Sequence, residues 1–140
     1  MEFADKFEIE KLHIKQVGSW IISVRPQQVT LGSLVLSLDR KCHSLGALTG
    51  EEGADLALAF KVIDDILKKS FNPDQINYLA LMMVDKQVHF HVIPRYSSTI
   101  KFNEREYLDE KWPKPPVVSE VLPFTQAEFV KLKNYLKSNI

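Results

Sequence analysis

Cysteine is nearly absent: Cys42 is the only one in the chain. One thiol excludes an internal disulfide and a multi-cysteine zinc site, and an unpaired thiol suits a reducing compartment. An excess of charge is missing too, because 18 Lys and Arg are balanced by 18 Asp and Glu. No global field therefore favours nucleic acid or an anionic membrane, and an anionic substrate must be held by local groups. No stretch approaches the roughly 20 apolar residues needed to cross a bilayer. The charged start MEFADKFEIEKLHIK lacks the apolar run of a signal peptide, so a cytoplasmic protein is expected. Repeats, low-complexity tracts and long linkers are also missing. With 140 residues and 45% hydrophobic side chains, the expectation is one domain, residues 1–140, with its own core.

What is present begins with strands. Ser19–Pro26, SWIISVRP, reads as a strand ended by proline, and Thr30–Asp39, TLGSLVLSLD, as a second, largely alternating one. The period then changes. Thr49 and Glu52 have the spacing of a capping box, and Leu56, Phe60, Ile63 and Leu67 form one stripe of an amphipathic helix. Gly53 is its weak point, while Lys68 and Lys69 suit the negative end of its dipole. NYLALMMV, Asn77–Val84, reads as an apolar strand. Asp85-Lys86 then predicts a two-residue hairpin that places Met82 opposite His89 and Ala80 opposite His91. Pro94 is expected to stop the returning strand. KWPKPP, 111–116, excludes helix interior and central strand. Thr125 and Glu128 repeat the capping-box spacing before a short C-terminal helix carrying Phe129, Leu132, Tyr135 and Leu136. Antiparallel strands with a few helices on one face define an α+β fold.

The stretch VDKQVHFHVIPRY, 84–96, carries the chemistry. Period-two geometry puts Gln87, His89 and His91 on one face, and Val88, Phe90 and Val92 on the other, against the helix. Three uses of the imidazoles stand side by side: hydrogen-bonded structural histidines, a metal site, or nucleophilic catalysis. A metal needs three or four ligands, and only the distant His13 and His43 are on offer. An imidazole is a competent nucleophile toward phosphorus, provided that it attacks as the neutral tautomer and that its other nitrogen has an acceptor. Arg95 reads either as a bidentate phosphate partner or as a solvated strand-end charge.

QVHFHVIPRY resembles the histidine-triad (HIT) family, whose signature is His-φ-His-φ-His-φ-φ, commonly followed by Pro-Arg. SWIISVRPQQVTLGSLVLSLDR and LTGEEGADLALAF are similar to the family's upstream strands and helix start, so the likeness covers residues 20–96, with 97–140 as a C-terminal extension. NYLALMMVDKQVHFHVIPRY looks like a bacterial, diadenosine-tetraphosphate hydrolase-like branch. The resemblance implies an antiparallel sheet of about five strands, one main helix packed on one face, and a homodimer whose oligomeric state sedimentation or light scattering decides.

For the site, the resemblance implies His89 as the nucleophile on the α-phosphorus of a nucleotide, forming a nucleotidyl-histidine. His91 would position the phosphate. Gln87 stands where the first histidine belongs, and its backbone carbonyl would orient His89. Ser33 and Arg25 stand at substrate-side positions usually held by other residues, and the glycine-rich turn before the triad is absent from MMVDKQ. The implied activity is hydrolysis or transfer on a nucleoside-containing phosphoanhydride or phosphoramidate, such as a dinucleoside polyphosphate. No cofactor is required, and magnesium is the ion that would accompany a polyphosphate. The rival expectation is a nucleotide-binding protein of this fold without turnover.

Overall fold

The structure, a computed structural model, describes residues 2–140. Its centre is a five-stranded antiparallel sheet in the order β1-β2-β3-β5-β4, formed by β1 (His13–Val17), β2 (Trp20–Val24), β3 (Leu34–Leu38), β4 (Gln75–Leu79) and β5 (His89–Arg95). A short helix, α1 (Phe3–Lys6), precedes β1. The long helix α2 (Gly50–Ser70) crosses over between β3 and β4. Two small strands, β6 (Ile100–Phe102) and β7 (Arg105–Tyr107), form a separate ribbon, and α3 (Gln126–Ser138) closes the chain.

Local sequence explains both longer helices. Thr49 and Thr125 accept from the backbone N–H of Glu52 and Glu128, whose carboxylates accept from the N–H of the two threonines, so both capping boxes are complete. The apolar faces of α2 and α3 pack on the sheet face built from Trp20, Ile22, Val24, Leu34, Leu36, Val88 and Val92. Trp20 also donates its indole N–H to the carbonyl of Glu52 at 2.9 Å, pinning the first turn of α2 to β2. Tyr107, Phe129, Leu132 and Leu136 lie in the same apolar cluster, so the segment after residue 97 completes the core instead of trailing from it. The glycine at 32 is required where it stands: its φ is +89°, and a Cβ there would lie 3.1 Å from the Phe71 ring.

The other sheet face has a thin cover. Phe3, Phe7 and Ile9, from α1 and the turn after it, pack on Ile21 and Val35. That face also carries Ser23, Ser37, His89 and His91, following the register Ser23–Val35–His91 and Ile21–Ser37–His89.

Two expectations about the strands are corrected. There is no two-residue hairpin at Asp85-Lys86. β4 ends at Leu79, which lies opposite His91, and residues 80–88 form a loop in which Met82 has a φ of +48°. The reason is a competing attachment to β3. The N–H of Leu38 donates to Val88 O, that of Val88 donates to Cys42 O, and the Gln87 amide donates to Arg40 O at 2.7 Å. These bonds draw the start of β5 toward residues 38–42 and away from β4, leaving Met83 and Val84 80% and 85% exposed. Pro94 does not end β5 either. The strand continues to Arg95, with Pro94 opposite Ile76, because the β3 ladder has ended at Val92 and the proline no longer faces it.

Candidate active site

β5 alternates across the sheet, which directs His89 and His91 to the thinly covered face, their rings T-shaped at 4.9 Å between centroids. His89 Nδ1 lies 2.5 Å from the carbonyl oxygen of Gln87. A carbonyl only accepts, so Nδ1 carries the proton and the Nε2 lone pair is free. His91 has the opposite arrangement. Its Nδ1 accepts from Arg25 Nε–H at 3.2 Å, since guanidinium only donates, so the His91 proton sits on Nε2. One imidazole therefore presents a lone pair at Nε2 and its neighbour presents an N–H.

Both rings line a cleft of about 450 Å³ together with Arg25, Lys6, Phe7 and Met82. Access to it is restricted. His89 is 2% and His91 8% exposed, because Phe3 and Phe7 lie over them, with Phe3 4.8 Å and Phe7 5.6 Å from the His89 ring centre. Lys6 closes onto the 80–88 loop through a 2.8 Å ion pair with Asp85.

Burial sets the protonation state. Desolvation lowers the His89 pKa, against the opposing pull of the Gln87 carbonyl and Asp85. Desolvation, then the charge of Arg25, lowers that of His91 to about 4. Below pH 6.5 the unfolded chain takes up a proton at His91 that the folded protein refuses until about pH 4. Stability therefore falls as pH drops through that window, by an expected 1–2 kcal/mol or so after allowing for solvent in the cleft. His89 contributes in the same direction. Urea denaturation at pH 7 and pH 5 checks this above the range in which the depressed carboxyls of Glu52 and Glu128 titrate. A His91→Gln variant should lose much of the difference.

The other sequence-derived positions separate sharply. The Gln87 side chain points away from the cleft: its amide bonds Leu38 O and Arg40 O and accepts from Cys42 N–H. Ser33 does not reach the cleft either. Fully buried, it donates to Thr30 O at 2.7 Å and accepts from Thr30 N–H at 3.1 Å, which holds the turn before β3. Arg95 is neither a phosphate partner nor a solvated charge. It is buried and forked onto Asp109 at 2.8 and 3.2 Å, with further bonds to Asn77 Oδ1 and Lys114 O. Arg40, beyond β3, is paired with Glu52. Among the described residues no three His, Cys, Asp or Glu side chains converge as a metal site, and no helix is long and apolar enough to cross a membrane. The sequence reading missed Lys6, Phe3 and Phe7. The only available signal was the aromatic spacing in EFADKF.

Neither a protein-family model nor a curated protein matches the chain. Solved structures do. A histidine triad (HIT) protein from Sinorhizobium meliloti 1021 is 22% identical, with 95% of this chain and 93% of that one covered at a TM-score of 0.73. A histidine triad protein from Bradyrhizobium japonicum is 20% identical over 95% and 94% of the two chains, with a TM-score of 0.71. One from Marinobacter aquaeolei VT8 is 17% identical over 94% and 90%, with a TM-score of 0.72. Likeness at these identities is likeness of fold: the chain has the architecture of the histidine-triad proteins, from the five-stranded antiparallel sheet to the main helix and the C-terminal helix.

Proposed function

We propose that the protein is a histidine-triad nucleotide hydrolase or nucleotidyl transferase, of the diadenosine-tetraphosphate hydrolase-like branch, with Gln87 in place of the first histidine. The observation that carries this is the hydrogen bond from His89 Nδ1–H to its own chain at Gln87 O, which leaves Nε2 neutral and nucleophilic beside a second imidazole in the cleft. His89 Nε2 attacks the α-phosphorus, the P–O bond to the leaving group breaks, and the electron pair departs with that oxygen. Water or another acceptor then attacks phosphorus and displaces the imidazole. The His91 Nε2–H is suited to stabilise charge on the phosphoryl oxygens.

The position of Gln87 narrows the substrate. An amide supplies no transferable proton, and this one is engaged by Leu38 and Arg40. A phosphate chain departs as an anion without being protonated, whereas the amine of a phosphoramidate does not. A phosphoanhydride such as a dinucleoside polyphosphate therefore fits better. His89→Ala is expected to lower turnover of diadenosine tetraphosphate by roughly a thousandfold or more and to abolish a nucleotidyl adduct trapped by acid quench and seen by mass spectrometry. Equal turnover by the variant removes the proposal. One observation favours the second reading, a nucleotide-binding protein without turnover: His89 is only 2% exposed. Calorimetric nucleotide binding with neither adduct nor product would support that alternative.

A further inference from the structure

Arg25 lies just past β2 and is 5% exposed, yet no carboxylate pairs with it among the described residues. The other deeply buried guanidinium, that of Arg95, is matched by Asp109. Burying an unpaired charge is expensive, and native proteins do so where something else compensates. The fork of Arg25 is only partly used. Nε–H goes to His91 Nδ1 at 3.2 Å and an Nη1–H to Gln27 O at 2.8 Å, and no further bond is formed. The side chain lines the same cleft as His89 and His91, and loss of solvent lowers its pKa.

We infer that Arg25 is the anion receptor of this cleft and the residue that sets the tautomer of His91. Its free N–H groups take a phosphoryl oxygen, while its Nε–H holds His91 Nδ1 as an acceptor and so keeps an N–H at Nε2 for the same phosphate. This rests on the phosphoryl chemistry proposed above and deepens it. The chain lacks the glycine-rich donors before residue 87, and one guanidinium supplies charge and donor together. The ligand class is a phosphate monoester or the α-phosphate of a nucleotide. Arg25 is thus a binding residue for the phosphate and a positioning residue for His91.

The titratable and charged groups that face His91 are Arg25, the neutral His89 on β5 and Asp85 on the 80–88 loop, with Lys6 and Glu8 lining the cleft from the α1 side. The first measurement needs no variant: ¹⁵N-edited NMR of the histidine side chains at pH 7. His91 should show protonated Nε2 and unprotonated Nδ1, with His89 the reverse. Nδ1–H at His91 overturns the inference. In Arg25→Gln, the His91 preference should relax and its midpoint should rise in part, since the Arg25 charge is lost while burial still holds it below its ordinary value. An unchanged tautomer and midpoint overturn the positioning role. Inorganic pyrophosphate and AMP, titrated into the full chain, should bind Arg25→Gln roughly ten- to a hundredfold more weakly than wild type. Arg25→Lys should recover part of that affinity but not the His91 tautomer. Equal affinities, or no binding of either anion by wild type, overturn the anion role. His89→Ala separates the two proposals: it should abolish the adduct while leaving the tautomer of His91 and pyrophosphate binding in place.

Discussion

Asp109→Ala is expected to destabilise the protein by about 3–5 kcal/mol, the cost of leaving a buried charge without its partner. The Asp109 carboxylate accepts from Arg95 Nε and Nη2 and from the N–H of Tyr96, so it ties the stretch after β7 to the end of β5. Both side chains of the pair are almost inaccessible, at 4% and 3%. Water therefore cannot replace the lost carboxylate, and Arg95 keeps only Asn77 and Lys114 O. For a chain of this size the loss corresponds to a drop of roughly 10–20 °C in Tm. Urea denaturation with an unchanged m-value measures it. Asp109→Asn, which keeps the shape and one acceptor, should fall between. A loss below about 1 kcal/mol would mean that the pair behaves as a solvated one.

The second large effect concerns access to His89. Replacing Phe3 and Phe7 together by serine should raise the rate at which diethyl pyrocarbonate modifies His89 by about a hundredfold. Each aromatic ring contributes roughly 1.5–3 kcal/mol when fully buried. Phe3 is only half-buried, so loss of both shifts the local opening equilibrium by about 3 kcal/mol, and every 1.4 kcal/mol is tenfold. The segment has little else to hold it: α1 spans four residues, and its Lys6–Asp85 pair is at the surface. His43, which is exposed in either state, serves as the internal reference, and peptide mass spectrometry assigns each modified site. If His89 reacts no faster in the double variant, the two rings are not what covers it. The same variant bears on the function. Under the proposed function, turnover of diadenosine tetraphosphate should rise together with His89 reactivity.

These experiments bear most on what could not be read from the sequence. The two longer helices were legible because their determinants lie within one or two turns. Thr49 with Glu52 and Thr125 with Glu128 are neighbours in the chain, and the apolar stripes repeat on a helical period. The shared face of His89 and His91 was legible for a similar reason, since alternation along one strand is a local property. The hairpin was not. NYLALMMV has the composition of a strand, but its second half is released because Gln87 and Val88 bond to residues 38–42, Gln87 and Leu38 being 49 residues apart. Arg95 was undecided between phosphate and solvent because its actual partner, Asp109, lies 14 residues away in an irregular segment without periodicity.

By itself, then, the sequence determined the α+β class, the two capped helices and the strand that presents two imidazoles on one side, because each depends on contacts between near neighbours in the chain. Only the tertiary structure decided which groups those imidazoles meet. Arg25 reaches His91 across 66 residues, and Phe3 and Phe7 arrive from the opposite end of the chain to lie over His89. Such pairings exist only once the sheet has closed and the N-terminal segment has packed down, so no local pattern encodes them.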